Sequence, residues 1–329
     1  MTKYTLAGIG NAVVDVITHA DDSFLDLMGI EKGIMQLIEQ DRGEVLYASM
    51  TERLQTPGGA VANTIAGVGA LGLPTAFIGR VHDDALGRFY AKSMQDSGTD
   101  FVNDPIPDGE LPTSRSMIFV SPDGERSMNT YLGISTELGP DDVPESVASN
   151  AEIMFLEGYL FDKDKGKDAF RQASRLTRAA GGKSGIAISD PFCVDRHRPD
   201  FLDMIENELD FVIGNQHEIT SLFETDDLEM ALNKTADMID LLVCTKSGDG
   251  VTIIGNGERH DIPVETVTPV DATGAGDQFA AGFIYGMATG TALATCGRMG
   301  NLCAAEVISH IGPRPKIDMK QQFASAGLL

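Results

Sequence analysis

The sequence predicts an α/β protein with a mainly parallel central sheet, and three observations carry that prediction. Short apolar runs alternate with helical patterns along most of the chain, the order that right-handed strand–helix–strand crossovers produce. No Pro/Ser-rich linker divides the 329 residues, so 1–329 reads as one continuous domain. The strand-like segments that break the rhythm are confined to the first part of the chain, where they suggest a second, smaller sheet.

Candidate core strands fall at 5–10, 75–79, 153–157, 185–189, 211–214 and 241–245, each a short apolar run bounded by turn residues. Helical patterns follow most of them, at 60–71, 85–97, 167–180, 201–208 and 217–223. Polar alternation marks 13–20, 34–37, 53–56 and 115–120, the last running into a hairpin turn at Asp123-Gly124. A discontinuous lid assembled from about 12–20, 34–38, 52–57 and 112–131 is the expected result. Past residue 250, 251–254 and 259–264 read as an antiparallel pair around Gly255-Asn256-Gly257. Two longer helices, 275–288 and 292–310, close the pattern, the second stopped by Gly312-Pro313.

Composition narrows the class of function. The net charge of −24 and a pI near 4.4 repel polyanions over the whole surface, which argues against nucleic-acid and anionic-membrane partners. A nucleotide is still admissible, because helix N-termini and free backbone amides are local sources of positive potential. Cys193, Cys244, Cys296 and Cys303 form no Cys-x-x-Cys pair and read as buried free thiols. With no signal-peptide core and no stretch of about 20 apolar residues, a cytoplasmic location is expected.

The segment with the most chemistry is Val270-Asp-Ala-Thr-Gly-Ala-Gly-Asp277. Small residues at Gly274, Ala275 and Gly276 leave backbone amides unshielded where a helix begins, a natural anion hole. Asp277, in the first turn, is placed to take a proton from a hydroxyl while that hole steadies a transferring phosphoryl group. The helix terminus should also keep it ionised at neutral pH. An ordinary capped helix start would use the same residues, and the physics alone does not choose between them.

The segment resembles the C-terminal signature of the ribokinase-like (PfkB) family of carbohydrate and nucleoside kinases, usually Asp-Thr-Thr-Gly-Ala-Gly-Asp; Ala272 replaces the first Thr. Gly8-Ile-Gly10-Asn11-Ala-Val-Val-Asp15 follows the first strand but has Val13 at the third glycine of a dinucleotide fingerprint. In the family the Asp of this place holds substrate hydroxyls, and the Gly-Asn-x-x-x-Asp form is similar to adenosine kinases. Thr56-Pro-Gly58-Gly59-Ala-Val-Ala-Asn63 resembles the N-terminal signature, whose Gly-Gly and Asn contact substrate. Asn215-Gln-His-Glu218 is similar to the Asn-x-x-Glu motif that organises Mg²⁺ and phosphate through water. Thr245, Gly248 and Gly250 resemble the nucleotide loop, with its first glycine one residue late, and Asn301 the asparagine that borders adenine.

The resemblance therefore implies a three-layer α/β/α ribokinase-like fold with a small β lid, ATP and Mg²⁺ as co-substrate and metal, and Asp277 as base. A monovalent cation such as K⁺ near Asp271 and a monomer or homodimer are compatible with it. Adenosine, phosphorylated at its 5′-hydroxyl, is the favoured acceptor, its base clamped by Tyr159 and lid residues such as Leu37. A sugar kinase acting on ribose or a ketohexose is the alternative, and a catalytically idle nucleotide-binding protein the second.

Overall fold

Near-continuous apolar strands buried on both faces are what a parallel sheet between two helical layers requires, and the chain builds one of nine strands. A computed structural model describes residues 3–108 and 111–329. Its large sheet contains β1 (Tyr4–Ile9), β5 (Thr75–Ile78), β6 (Thr99–Phe101), β9 (Ala151–Glu157), β10 (Lys183–Ala187), β11 (Phe211–Asn215), β12 (Leu241–Thr245), β13 (Val251–Gly255) and β14 (Glu258–Ile262). Their order is β14-β13-β12-β11-β10-β9-β1-β5-β6, parallel except where β13 and β14 turn back as the expected hairpin.

Alternation along each strand divides the core in two. Leu6, Ile153, Phe155, Phe211, Ile213 and Val243 point to one face, and Ala7, Met154, Leu156, Val212 and Leu242 to the other. The first face is covered by α3 (Ala60–Ala70), α10 (Ala275–Ala288) and α11 (Leu293–Ile308). The second is covered by α5 (Glu145–Ala148), α6 (Asp164–Ala179), α7 (Pro191–Asn207), α8 (Gln216–Ser221) and α9 (Leu228–Met238). Outside these layers, α4 (Ala85–Asp96) packs on β6 and α12 (Met319–Ser325) on α11.

The small sheet orders β3 (Met35–Leu37), β8 (Arg126–Tyr131), β7 (Ser114–Val120), β2 (Val13–His19) and β4 (Leu54–Pro57). It is mixed: β2 runs parallel to β7 and antiparallel to β4, while β3 runs parallel to β8. The four early segments singled out by polar alternation all contribute strands, and the Asp123-Gly124 turn joins β7 to β8. Helices α1 (Asp22–Met28) and α2 (Gln40–Ser49) link its strands and were not anticipated.

Two other differences have physical reasons. The helix expected from 201 is preceded by another that begins at Pro191, where Asp190 caps the Cys193 amide and a proline suits the first turn, the two being joined at His197. Pro199 does not end the run; a kink at His197 absorbs the ring. Helix α9, with Asp227 as its cap, was also missed, as was the three-residue β6. The four cysteines are buried and free, as expected. Among the described residues, no helix is long and apolar enough to cross a membrane.

Candidate active site

The large sheet has one topological switch point. From β1 the chain proceeds outward to β5 and β6, then returns to β9 and builds the sheet in the other direction. Ligands of open α/β sheets sit at the carboxyl ends of strands flanking such a point. Asn11 follows β1 there, and Glu157 ends β9 beside it. A cleft of about 460 Å³ opens between this edge and the small sheet, lined by Asn11, Asp15, Gly59, Asn63, Tyr159 and Asp277 among others.

Asp277 reaches the cleft because α3 and α10 pack side by side with their first turns aligned. Asn63 Nδ2 donates to Asp277 Oδ2 at 3.0 Å, and the Thr64 hydroxyl donates to the Asp277 carbonyl at 2.9 Å. The preceding turn is tight: Gly274 has φ +78°, and a Cβ there would lie 2.7 Å from Pro313. The Ala275 amide is used inside the turn, donating to the Ala272 carbonyl. The amides of Gly276 and Asp277 find no acceptor among the described residues, and the space beside Gly276 is open. Of the expected hole, the Gly274 and Gly276 amides donate to no acceptor among the described residues, and only the Ala275 amide is engaged, inside the turn.

At the acceptor end Asp15 is 7% exposed, and its carboxylate receives no hydrogen bond from the described residues. Asn11 lines the cleft and is also held by the protein. Its Nδ2 donates to Glu157 Oε1 at 2.8 Å and its Oδ1 accepts from Ser135 at 2.9 Å, so both ends of the amide are engaged. Asn63, also on the cleft, donates to Asp277 and accepts from Arg314, whose Nε donates to Asn63 Oδ1 at 3.1 Å. Gly59, at φ +96°, lets the chain pass Asn11, where a Cβ would stand 2.2 Å from its carbonyl oxygen. Gly58 donates its amide to Val13, accepts from Tyr90 at its carbonyl, and leaves room for Asp15.

A smaller cavity adjoins the cleft and is lined by Tyr159, Asn215, Glu218, Thr245, Gly276 and Asp277. Asn215 and Glu218 form a reciprocal cap at the start of α8: Glu218 Oε1 and Oε2 accept from Asn215 Nδ2 and its backbone amide at 2.5 and 2.9 Å. With both oxygens engaged, the pair fits Mg²⁺ held through water and not by direct ligation. Gly248, Gly250 and Asn301 border neither cavity. Gly250 closes the β12–β13 turn through the Lys246 amide, and Asn301 donates to the Pro263 carbonyl at 2.7 Å, fastening the loop after β14.

Three residues of the site carry no motif. Glu157, 1% exposed, accepts from the Asn11 amides and from the Val61 amide. Arg126, from β8, donates to Asp271 at 2.5 Å and to the Thr273 hydroxyl at 3.0 Å, joining the small sheet to the turn before α10. Its Nε and Nη2 are buried without a partner among the described residues. Arg314 lies beyond α11, behind Asn63.

The electrostatics correct one expectation outright. Burial pushes the Asp277 carboxyl up to about 7; the Asn63 amide opposes this, Glu157 and Asp15 add to it, and Arg314 counters them. The helix terminus therefore does not keep it fully ionised at neutrality. Asp15 is raised by burial to about 6 against the pull of Arg126 and Arg314, and burial also raises Glu218, to about 7. A carboxyl raised in the folded state contributes most stability below its unfolded pKa, near 4, and loses that contribution as pH rises through about 7. Asp277→Asn should accordingly melt about 2–4 °C above the wild type at pH 8, with the gap closing toward pH 5. Scanning calorimetry at several pH values checks this, and a gap independent of pH would refute it.

A nine-stranded, mostly parallel sheet with a separate small mixed sheet is the ribokinase fold, a scaffold of phosphotransferases that act on alcohols. The sequence profile of the pfkB family carbohydrate kinases matches residues 28–319, and the chain belongs to that family of ATP-dependent kinases. It is similar to a probable sugar kinase from Rhizobium etli, with 41% identity, 100% of both chains covered and a TM-score of 0.92. It is equally similar to an adenosine kinase from Sinorhizobium meliloti, with 43% identity, 99% of this chain and 100% of the other covered and a TM-score of 0.91. An uncharacterised sugar kinase from Archaeoglobus fulgidus is 30% identical over 75% of this chain and 96% of its own.

Proposed function

We propose that the protein transfers the γ-phosphoryl group of ATP to the 5′-hydroxyl of adenosine, with Asp277 as general base. The observation that carries the choice of acceptor is the mixed lining of the cleft. It holds Asp15 with open acceptor positions, suited to a pair of ribose hydroxyls. The cleft is also lined by exposed apolar side chains: Met35 and Leu37 of β3 and Phe192 of α7, with 45%, 54% and 75% of their surfaces exposed. A flat base can cover such surface, whereas a sugar, polar on all sides, would leave it wet. Tyr159 borders both the cleft and the smaller cavity. Likeness to the Sinorhizobium adenosine kinase agrees with this reading.

In this mechanism Asp277 takes the proton of the 5′-hydroxyl as its oxygen attacks the γ-phosphorus, the bond to the β,γ-bridging oxygen breaks, and ADP leaves. The free amides of Gly276 and Asp277 hold the transferring phosphoryl group. Arg126 adds donors from the small sheet, which acts as a lid that excludes water. Thr245, Asn215 and Glu218 line the ATP side; the latter two would hold Mg²⁺ through water, and the ion would supply positive charge to offset that of the phosphates. The monovalent cation is assigned no step.

A sugar acceptor is the second reading, because Asp15 alone has the chemistry for ribose or a ketohexose and the likeness to sugar kinases is as strong. ADP release with Mg²⁺-ATP separates the two. Adenosine should give saturable release, and 5′-deoxyadenosine should inhibit competitively without turnover. Saturable release with ribose or fructose and none with adenosine would sink the preferred acceptor.

A further inference from the structure

Arg314 stands in no motif, on the segment between α11 and α12, yet it reaches the back of the catalytic centre. Its Nε donates to Asn63 Oδ1 at 3.1 Å, and Asn63 Nδ2 donates to Asp277 Oδ2 at 3.0 Å. A guanidinium has only donors, so it settles which end of the amide turns toward it. The Asn63 oxygen is claimed by Arg314, and the NH₂ group must face the carboxylate. Arg314 makes one further polar contact, from Nη2 to Met94 Sδ at 3.5 Å, and no ion pair within 4 Å among the described residues. Burying a guanidinium without a direct carboxylate partner is costly. The charges around it are nonetheless of one sign: Asp15 from β2 and Asp277 from α10 both face it, and the Tyr90 hydroxyl of α4 lies alongside.

The segment that carries Arg314 is stitched in place. Gln278, wholly buried, donates through Nε2 to the carbonyls of both Asn63 and Pro313 at 3.1 Å. The Gly312 amide donates to Asp271 Oδ2 at 3.1 Å. First turn of α3, first turn of α10 and the C-terminal segment are thereby held as one unit, with Asn63 at its centre.

We propose that Arg314 is a positioning residue for phosphoryl transfer, acting through Asn63 to aim the Asp277 carboxylate and to balance the negative charge of Asp15 and Glu157 around it. The proposal rests on Asp277 being the base. Arg314 touches neither phosphate nor acceptor in this role, so its loss acts on kcat and not on either KM. The sign of the pH effect follows from the groups facing Asp277: Glu157 and Asp15 favour its protonated form, Asn63 and Arg314 its ionised form. Losing Arg314 moves the acid limb of kcat to higher pH.

The test uses the full chain as wild type, Asp277→Asn, Arg314→Gln, Arg314→Lys, Asn63→Ala and the Arg314→Gln/Asn63→Ala double variant. The acceptor is adenosine or, if the wild type turns over only a sugar, that sugar. Arg314→Gln should lower kcat about tenfold at pH 7 with an acid limb about one pH unit higher. Both KM values should stay within about twofold of wild type, and Arg314→Lys should restore part of the limb. In the Asn63→Ala background, Arg314→Gln should cost clearly less than it does alone, since the relay is already cut. Three results overturn the proposal with Asp277→Asn inactive: wild-type kcat and limb in Arg314→Gln, an effect confined to the KM for ATP, or costs that simply multiply. Wild-type turnover in Asp277→Asn would remove the base assignment itself, a distinct failure. If Arg314→Gln does not fold, Arg314→Lys decides: several-fold lower kcat at unchanged KM supports the role, and wild-type kcat overturns it.

Discussion

Asp277→Asn should cut turnover at least about 100-fold while Mg²⁺-ATP binds no more weakly than in the wild type, because loss of a positioned general base costs typically 10²–10⁴ in rate. The variant is a clean one. Asparagine keeps the shape and can still accept from Asn63 Nδ2, and the backbone amides of Gly276 and residue 277 are untouched. What disappears is the ability to take a proton. Turnover by the wild type should rise with pH through about 7, where burial has placed the carboxyl. Near-wild-type activity in Asp277→Asn, measured by ADP release, would contradict the mechanism.

Asp15→Ala should weaken use of the acceptor and leave that of ATP little changed. Its carboxylate has open acceptor positions in the cleft, and each hydrogen bond to a charged group contributes about 1.5–3 kcal/mol. Losing two such bonds should lower kcat/KM for the acceptor by at least about 100-fold, with the KM for ATP little changed. A second effect is opposite in sign to that of Arg314→Gln. Asp15 helps to hold Asp277 protonated, so its removal should move the acid limb of kcat to lower pH. A rise confined to the KM for ATP would show that Asp15 belongs to the other substrate.

The parts of this molecule that were legible in the sequence are the local ones. The heptapeptide ending at Asp277 is a turn and a helix start within one stretch of chain, so its residue types already state its geometry. The parallel core was legible for the same reason, each strand carrying its own apolar run. The lid strands were found by polar alternation, but α1 and α2 between them are short helices with few buried residues, and they leave a weak period. Partnership was much harder to read. Asn11 and Asn63 were expected near substrate and line the cleft, yet nothing local says that Glu157 and Ser135 engage the first, or Asp277 and Arg314 the second. Arg126 and Arg314 arrive from distant segments, and only the fold brings them to the turn before α10 and to Asn63. The ionisation of Asp277 was misjudged on similar grounds: the helix terminus is a local feature, whereas the burial and the acidic neighbours that outweigh it are tertiary.

The most direct test of the central claim is a competition. The protein is incubated with limiting Mg²⁺-ATP and equal concentrations of adenosine, ribose and fructose, and the phosphorylated products are identified by ³¹P NMR. Adenosine 5′-monophosphate as the dominant product is the predicted result. Ribose or fructose phosphate in its place, with adenosine recovered intact, would contradict the account.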